Sequence, residues 1–320
     1  VGTLRRDGLE IMFVFDSTGS MGAVLKQAKD RMAKMATVLL ELVPYARIGV
    51  VTYRDKHKTE DYLTRQVGLS RDFYRAINFK QRIYAGGGGD PPEAVYEALG
   101  EAKRQKWTAS ARRMIVLIGD APPHAETEGR ISAMVKDFAH NGRSFVHTII
   151  TRPSAAREVS ADTTKSFERI ARDGHGETLT FEDEAKILQA VMSLAFGRME
   201  SRSLDEVYRL VDKRADEASE EAKKVASGKE LKELRVAFSR NVVSHDLVKA
   251  ILKDPNPVVL KELVGFARQR SFPSPGKHAA AYILYRVLGL DDPPVDPETQ
   301  RPLDRARAQD LLRRIERRRR

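Results

Sequence analysis

Residues 11–22 read IMFVFDSTGSMG, an unbroken apolar run followed by an aspartate and a short polar turn that contains two glycines. An uninterrupted apolar run of this length is typical of a strand that is buried on both faces, as in a parallel sheet. Open sheets of parallel strands bind ligands just beyond the carboxyl ends of their strands. We therefore expect Asp16 to lie at the ligand-binding edge of a sheet.

Strands and helices alternate around this stretch through residue 196. Apolar runs predict strands at 48–53, 114–118, 145–150 and 177–181, and a weaker alternation predicts an edge strand at 62–69. Helical spacing predicts helices at 22–43, 91–106, 131–140, 163–172 and 184–196. Only a short connection joins 48–53 to 62–69, so this pair is expected to form an antiparallel hairpin. The order predicts an α/β fold, a doubly wound and mostly parallel sheet with one antiparallel edge strand.

The sequence after residue 197 predicts a second domain of a different class. No strand pattern recurs there, and apolar residues follow helical spacing over 204–211, 260–267 and 280–287. Proline-rich breaks separate the later helices, and Asp-Pro recurs at 254 and 292, close to the spacing of a HEAT-like helical repeat. We expect an α/β domain over 1–200, followed by an all-α domain over 201–320.

Composition excludes several kinds of site. The chain has no cysteine, which excludes disulfides and cysteine-ligated zinc, and no apolar run is long enough to span a bilayer. The formal net charge is +11, and six of the last eight residues are arginine. Such a terminal run is more typical of a solvated, frayed tail than of a nucleic-acid interface, which would also need interleaved aromatic residues.

Three acidic loops are expected at one edge of the predicted sheet, over residues 16–22, 86–93 and 119–124. Asp16 and Asp120 end strands that are expected to be central, and Asp90 precedes a helix whose N-terminus would point at the same edge. Carboxylates and hydroxyls are hard oxygen ligands that suit Mg²⁺, Mn²⁺ or Ca²⁺. The spacing Asp16-x-Thr18-x-Ser20 allows one tight turn to aim alternate side chains at a single point, because its glycines give the backbone freedom.

The turn FDSTGSMG at 15–22 resembles the metal-ion-dependent adhesion motif Asp-x-Ser-x-Ser of the von Willebrand factor A family. The resemblance covers residues 8–197, and the segments GGGDPPE and GDAPPH are similar to a bacterial and alpha-kinase-associated branch of that family. It implies a protein ligand at a metal face, with Mg²⁺ as the ion and Mn²⁺ or Ca²⁺ as alternatives. The metal ligands that it implies are Asp16, Thr18, Ser20, Asp90 and Asp120.

Asp90 departs from many adhesive members of the family, which have threonine at this position. Three aspartates more than neutralise a divalent ion, so an acidic ligand would meet less attraction and some like-charge repulsion. The departure predicts that the metal is held firmly and that a partner's carboxylate is captured weakly.

Several polar neighbours of these motifs also have structural explanations. Glu93 suits the first turn of a helix, where the helix dipole favours acidic residues. His124 could pack on the neighbouring prolines, and Arg54 and Asp55 could form a local surface ion pair. Ser17 is a candidate for contacting a ligand at the rim of the site.

Three functions are weighed, and a metal-dependent protein-binding module without catalytic activity leads. A Mg²⁺-dependent phosphatase of the haloacid dehalogenase type would need Asp-x-Asp-x-Thr, and Thr18 occupies the second aspartate position. A P-loop is excluded because the chain has no Gly-x-x-x-x-Gly-Lys-Ser/Thr segment. Nucleic-acid binding through the arginine tail is the other alternative, and the missing aromatic residues disfavour it.

Overall fold

The computed structural model describes residues 2–22, 45–55, 61–87, 92–151, 159–181, 218–240, 243–299 and 301–318, together with residues 25, 39, 43, 191, 194 and 195. The chain divides into two compact units. The first contains Val1–Ser70 and Ile83–Leu204, and the second contains Arg71–Arg82 and Asp205–Arg320. This division lies close to the boundary predicted near residue 200, but it assigns residues 71–82 to the second unit.

The first unit is built on a six-stranded sheet in the order β3-β2-β1-β4-β5-β6. Neighbouring strands are parallel except for β2 and β3, which pair antiparallel at the edge. The predicted α/β fold is therefore confirmed, including its antiparallel edge strand. The strands are β1 (Leu9–Asp16), β2 (Arg47–Tyr53), β3 (Thr64–Ser70), β4 (Arg112–Gly119), β5 (Ser144–Thr151) and β6 (His175–Phe181).

Four helices of the first unit are described from end to end: α1 (Gly2–Asp7), α3 (Val95–Lys103), α4 (Glu128–Ala139) and α5 (Ala161–Asp173). The last three correspond to the helices predicted at 91–106, 131–140 and 163–172. The predicted helices at 22–43 and 184–196 lie largely outside the described residues. Ser160 begins α5 with a side-chain cap, because its hydroxyl accepts a hydrogen bond from the Thr163 amide.

Strand β1 places the start of the turn, Asp16, at the centre of the sheet. All eight of its residues are buried, as a strand with neighbours on both sides and helices packed on it requires. Met12 and Val14 pack in one core with residues of α3 and α4, and alternation along the strand puts Asp16 on the same face.

The second unit is all α-helical in its described residues, as the sequence predicted. Its helices are α2 (Phe73–Gln81), α6 (Glu220–Ala226), α7 (Leu231–Phe238), α8 (His245–Lys253), α9 (Pro257–Arg268), α10 (Ser274–Leu288) and α11 (Arg305–Arg317). The predicted stripe at 260–267 is buried in α9, and the stripe at 204–211 lies outside the described residues. In the described part of the chain, every helix is too short or too polar to be a candidate membrane span.

Helix α2 was not predicted from the sequence, and its side chains pack within the second unit. The Tyr74 hydroxyl and the His245 Nδ1 atom are 2.9 Å apart. The Asn78 side-chain amide donates to the His278 carbonyl at 2.9 Å, and the Tyr285 hydroxyl donates to the Gln81 side chain at 3.1 Å.

The expectation of a frayed arginine tail is wrong as far as residue 317. Helix α11 continues to Arg317 because Leu311 and Ile315 form a buried stripe on one side of it. Arg313, Arg314 and Arg317 are exposed, and the Arg314 Nε atom donates to Asp310 at 2.9 Å.

Candidate metal centre

Asp16 is the last residue of β1, and a tight turn closes over its carboxylate. The Asp16 side chain is fully buried. Its Oδ1 atom accepts hydrogen bonds from the Thr18 amide at 2.8 Å and from the Thr18 hydroxyl at 2.7 Å. The Thr18 and Ser20 hydroxyl oxygens are 3.4 Å apart. The predicted Asp-x-Thr-x-Ser turn therefore brings its three oxygen-bearing side chains together.

Asp120 lies beside this turn, directly after β4. Burial and the negative charge of Asp120 raise the pKa of Asp16 to about 7, against the opposing effect of the hydrogen bonds from Thr18. Gly119, the residue before Asp120, lies directly beside Asp16, because a Cβ atom added to Gly119 would be 3.3 Å from the Asp16 Cβ atom. The structure therefore brings the loop that carries Asp120 next to the buried Asp16 side chain.

The glycine-rich loop approaches the same turn through its backbone. The Gly86 amide donates to the Ser17 carbonyl, and the Gly19 amide donates to the Gly87 carbonyl, both at 3.2 Å. Gly87 has a φ of 67°, in the left-handed region that favours glycine. The glycine run therefore approaches the Asp16 turn closely, whereas Asp90 lies outside the described residues.

Tyr53 is a residue of this site that sequence reasoning missed. It ends β2 and pairs in register with Asp16. The side chain is completely buried, and its hydroxyl makes no hydrogen bond to any described residue. Burial raises the pKa of Tyr53 well above its ordinary value, and the charges of Asp16, Glu93 and Asp120 add to the shift. A tyrosine that ends a buried strand is the one signal that the sequence offers.

Glu93 also lies deeper than its sequence suggested. It precedes α3 instead of occupying the first turn of that helix, and only 4 % of its surface is exposed. The Glu93 amide donates to the Pro122 carbonyl at 2.9 Å, and Glu93 forms a parallel bridge with Pro123. The segment before α3 is thereby joined to the loop that carries Asp120.

The remaining polar neighbours form a hydrogen-bonded border around the turn. The predicted contact of Ser17 with ligand at the rim has little support, because Ser17 is buried and its hydroxyl contacts the Tyr53 carbonyl at 2.9 Å and the Tyr62 hydroxyl at 2.8 Å. His124 does more than pack on prolines, since its Nε2 atom lies 3.2 Å from Asp55. Arg54 is buried, and its guanidinium donates to the Tyr84 carbonyl at 2.9 Å.

The donor set fits a hard divalent ion. The described residues contain no cluster of three or more His, Cys, Asp or Glu side chains that is arranged to bind a metal. They do bring two carboxylates and two hydroxyls to one place, and the buried Oδ2 atom of Asp16 accepts no hydrogen bond from them. A buried carboxylate oxygen of this kind is normally paired with a cation or with a hydrogen-bond donor.

Comparison with known families and proteins agrees with the α/β fold of the first unit. A family model described as von Willebrand factor A domain matches residues 10–183. The alpha-protein kinase vwkA of Dictyostelium discoideum is 30 % identical over 118 residues, which are 36 % of this chain. The matched region spans only 19 % of that kinase.

Solved structures with a similar course of the chain include two from Bacteroides species. BatB from Bacteroides thetaiotaomicron is 18 % identical, with a TM-score of 0.44 over 59 % of this chain and 100 % of that one. An aerotolerance-related membrane protein from Bacteroides fragilis is 18 % identical, with a TM-score of 0.43 over 59 % of this chain and 99 % of that one.

Proposed function

Because this chain belongs to the von Willebrand factor A domain family, we propose that it is a protein-binding module that acts through one bound Mg²⁺ ion. Asp16, Thr18, Ser20, Asp90 and Asp120 would hold the ion, with Mn²⁺ or Ca²⁺ as alternatives. The observation that supports this proposal best is the approach of the Asp120 loop to the Asp16 turn at the carboxyl edge of the sheet. The ion would supply a positive centre at which a protein ligand completes the coordination.

The chain's own residues prepare this site before any ion arrives. Two hydrogen bonds from Thr18 fix the Oδ1 atom of Asp16, so the Oδ2 atom is left to face an ion. Asp16 and Asp120 repel each other when both are ionised, and a divalent ion between them removes that repulsion. Repulsion between the two ionised aspartates disfavours the metal-free site, and relief of that repulsion favours binding of the ion.

Asp90 gives the proposed site its particular character. With three aspartates around one ion, the site carries a net negative charge, and it would hold the ion more firmly than a site with threonine at this position. The same charge weakens the attraction for an acidic side chain of a partner. We therefore propose that a partner binds the ion mainly through neutral oxygen ligands and also contacts the protein surface around the metal site.

We assign binding rather than catalysis to this module. A phosphatase mechanism would need an aspartate nucleophile with a second acidic group two residues later, and Thr18 stands there with its hydroxyl bonded to Asp16. A Mg²⁺-dependent assay with a generic aryl phosphate tests the assignment. Turnover that disappears in the Asp16→Asn variant would contradict it.

Metal-dependent capture of partner proteins from the native source tests the function as a whole. Wild-type protein in Mg²⁺ should retain a set of proteins that is lost with a chelator and also lost with Asp16→Ala. The matched control is Asp137→Ala, which removes a surface aspartate that is paired with Lys103 on a helix of the same unit. A partner set that is identical in all four samples would contradict a metal-centred interface.

A further inference from the structure

Tyr53, Asp16 and Gly119 occupy one row across the sheet at its carboxyl edge. Asp16 pairs with Tyr53 in β2, and Phe15 pairs with Ile118, so Gly119 is the next position on the other side. Paired positions in neighbouring parallel strands project to the same face. The absence of a side chain at Gly119 therefore leaves space next to the Asp16 carboxylate.

The Tyr53 hydroxyl occupies this space. A Cβ atom added to Gly119 would lie 2.8 Å from the Tyr53 hydroxyl oxygen, 3.3 Å from the Asp16 Cβ atom and 3.5 Å from its Oδ2 atom. The phenol ring thus reaches toward β4, and its hydroxyl and the Asp16 carboxylate both lie next to the backbone of Gly119.

Two buried polar atoms meet at this point without a hydrogen bond from the described residues. One is the Tyr53 hydroxyl, and the other is the Oδ2 atom of Asp16. Buried hydroxyls and carboxylate oxygens in folded proteins are almost always paired, often through an ordered water. A phenol hydroxyl is a donor and a carboxylate oxygen is an acceptor, so the two atoms suit each other chemically.

We infer that Tyr53 is a positioning residue of the metal centre, whose hydroxyl donates through one water to the Oδ2 side of the Asp16 carboxylate. This inference rests on the proposed metal site. Groups behind the ligands of a metal commonly fix ligand orientation, and their loss typically weakens metal binding by about 10- to 100-fold. The hydroxyl fixes the orientation of the Asp16 carboxylate, which would hold the ion.

Replacement of this tyrosine by phenylalanine separates positioning from structural support. Tyr53→Phe keeps the buried ring and removes only the hydroxyl, so the metal-free protein should keep its fold, and its Tm should fall by no more than the loss of a single buried hydrogen bond allows. The same variant should bind Mg²⁺ about 10-fold more weakly, as measured by calorimetry on the full chain. The rise in Tm on adding Mg²⁺ should shrink in parallel. The control is Tyr96→Phe, a tyrosine of the same unit that is only partly buried.

Each outcome decides the matter. Wild-type affinity in Tyr53→Phe would overturn the positioning role while leaving the metal site intact. A loss of Mg²⁺ affinity that comes with a large fall in the Tm of the metal-free protein would assign Tyr53 to packing alone and would also overturn the inference. Failure of the wild-type protein to bind Mg²⁺ would overturn both this inference and the proposed function on which it rests.

Discussion

The Nδ1 atom of His278 lies 2.6 Å from the Oδ2 atom of Asp72, a residue 206 positions earlier in the chain. Both side chains are buried. The Oδ1 atom of the same carboxylate accepts a hydrogen bond from the Arg75 amide and so caps helix α2. A single carboxylate therefore begins α2 and joins it to α10 within the second unit.

Replacement of Asp72 by alanine should destabilise the second unit by roughly 3 kcal/mol. The change removes a helix cap, which is worth about 1 kcal/mol, and leaves the Nδ1 atom of the buried His278 with only the Ser274 hydroxyl, 3.2 Å away, which costs about 1–3 kcal/mol. Urea unfolding measures the effect. Asp310→Ala is the control, because it breaks only a surface ion pair with Arg314 and should cost less than about 1 kcal/mol. Equal stability of the two variants would contradict the role assigned to Asp72.

A fragment that ends at residue 204 should fold poorly because α2 would lose its packing partners. Phe79 and Ile77 are buried in the full chain, and α2 packs within the second unit. The fragment should bind more of a hydrophobic dye than the full chain does and should give less soluble protein. A second fragment, in which a Gly-Ser linker replaces residues 71–82, should recover solubility. Equal behaviour of both fragments would show that α2 does not depend on the second unit.

His147 should make the protein less stable in mild acid. Burial and, to a smaller extent, the charge of Arg112 together lower the pKa of His147 to about 4. The unfolded chain takes up this proton near pH 6.5 and the folded chain only near pH 4, so the unfolded state binds more protons in that interval. Stability is then lost as the pH falls from about 6.5 toward 4, by on the order of 1–2 kcal/mol at pH 5. Urea midpoints at pH 7 and pH 5 should differ less in His147→Gln than in the wild type.

Substitution of Gly119 by alanine should crowd the Tyr53 hydroxyl. The new Cβ atom would lie 2.8 Å from the Tyr53 hydroxyl oxygen, closer than contact allows. The variant should lose about 1–3 kcal/mol of stability through crowding. Adding Tyr53→Phe removes the clashing atom and should recover part of the loss, so a thermodynamic cycle should show coupling. Strict additivity of the two changes would contradict the contact.

The charge of Asp90 should set the strength of metal binding. Asp90→Thr restores the residue that many adhesive members of the family carry and removes one negative charge. We expect Mg²⁺ affinity to fall by on the order of 10-fold, about 1.4 kcal/mol. With the metal saturating, a short fluorescent peptide with a central glutamate should bind better to this variant by anisotropy. Unchanged values for both would remove Asp90 from the metal site.

The sequence predicted those parts of the fold and site that depend on local pattern. The apolar run that ends at Asp16 predicted a central strand with a carboxylate at its end, because burial on both faces leaves a clear signal. The turn residues Thr18 and Ser20 were predicted by spacing, and the structure brings them together with Asp16.

Features that depend on distant residues were missed. Helix α2 has Asn78, Lys80 and Gln81 buried alongside its apolar residues, so it shows no amphipathic stripe, and its anchor His278 lies far along the chain. The position of the Tyr53 hydroxyl depends on the absence of a side chain at Gly119, on another strand. Neither the anchoring of α2 by His278 nor the packing of Tyr53 over Gly119 can be predicted from a local sequence pattern.

Calorimetric titration of the full chain with Mg²⁺, comparing wild type with Asp120→Asn, tests the metal centre most directly. The wild type should bind one equivalent, and Asp120→Asn should bind far more weakly. The metal-free variant should be at least as stable as the wild type, because it lacks the charge that disfavours ionised Asp16. Absence of Mg²⁺ binding in the wild type, or equal binding in both proteins, would contradict the metal centre.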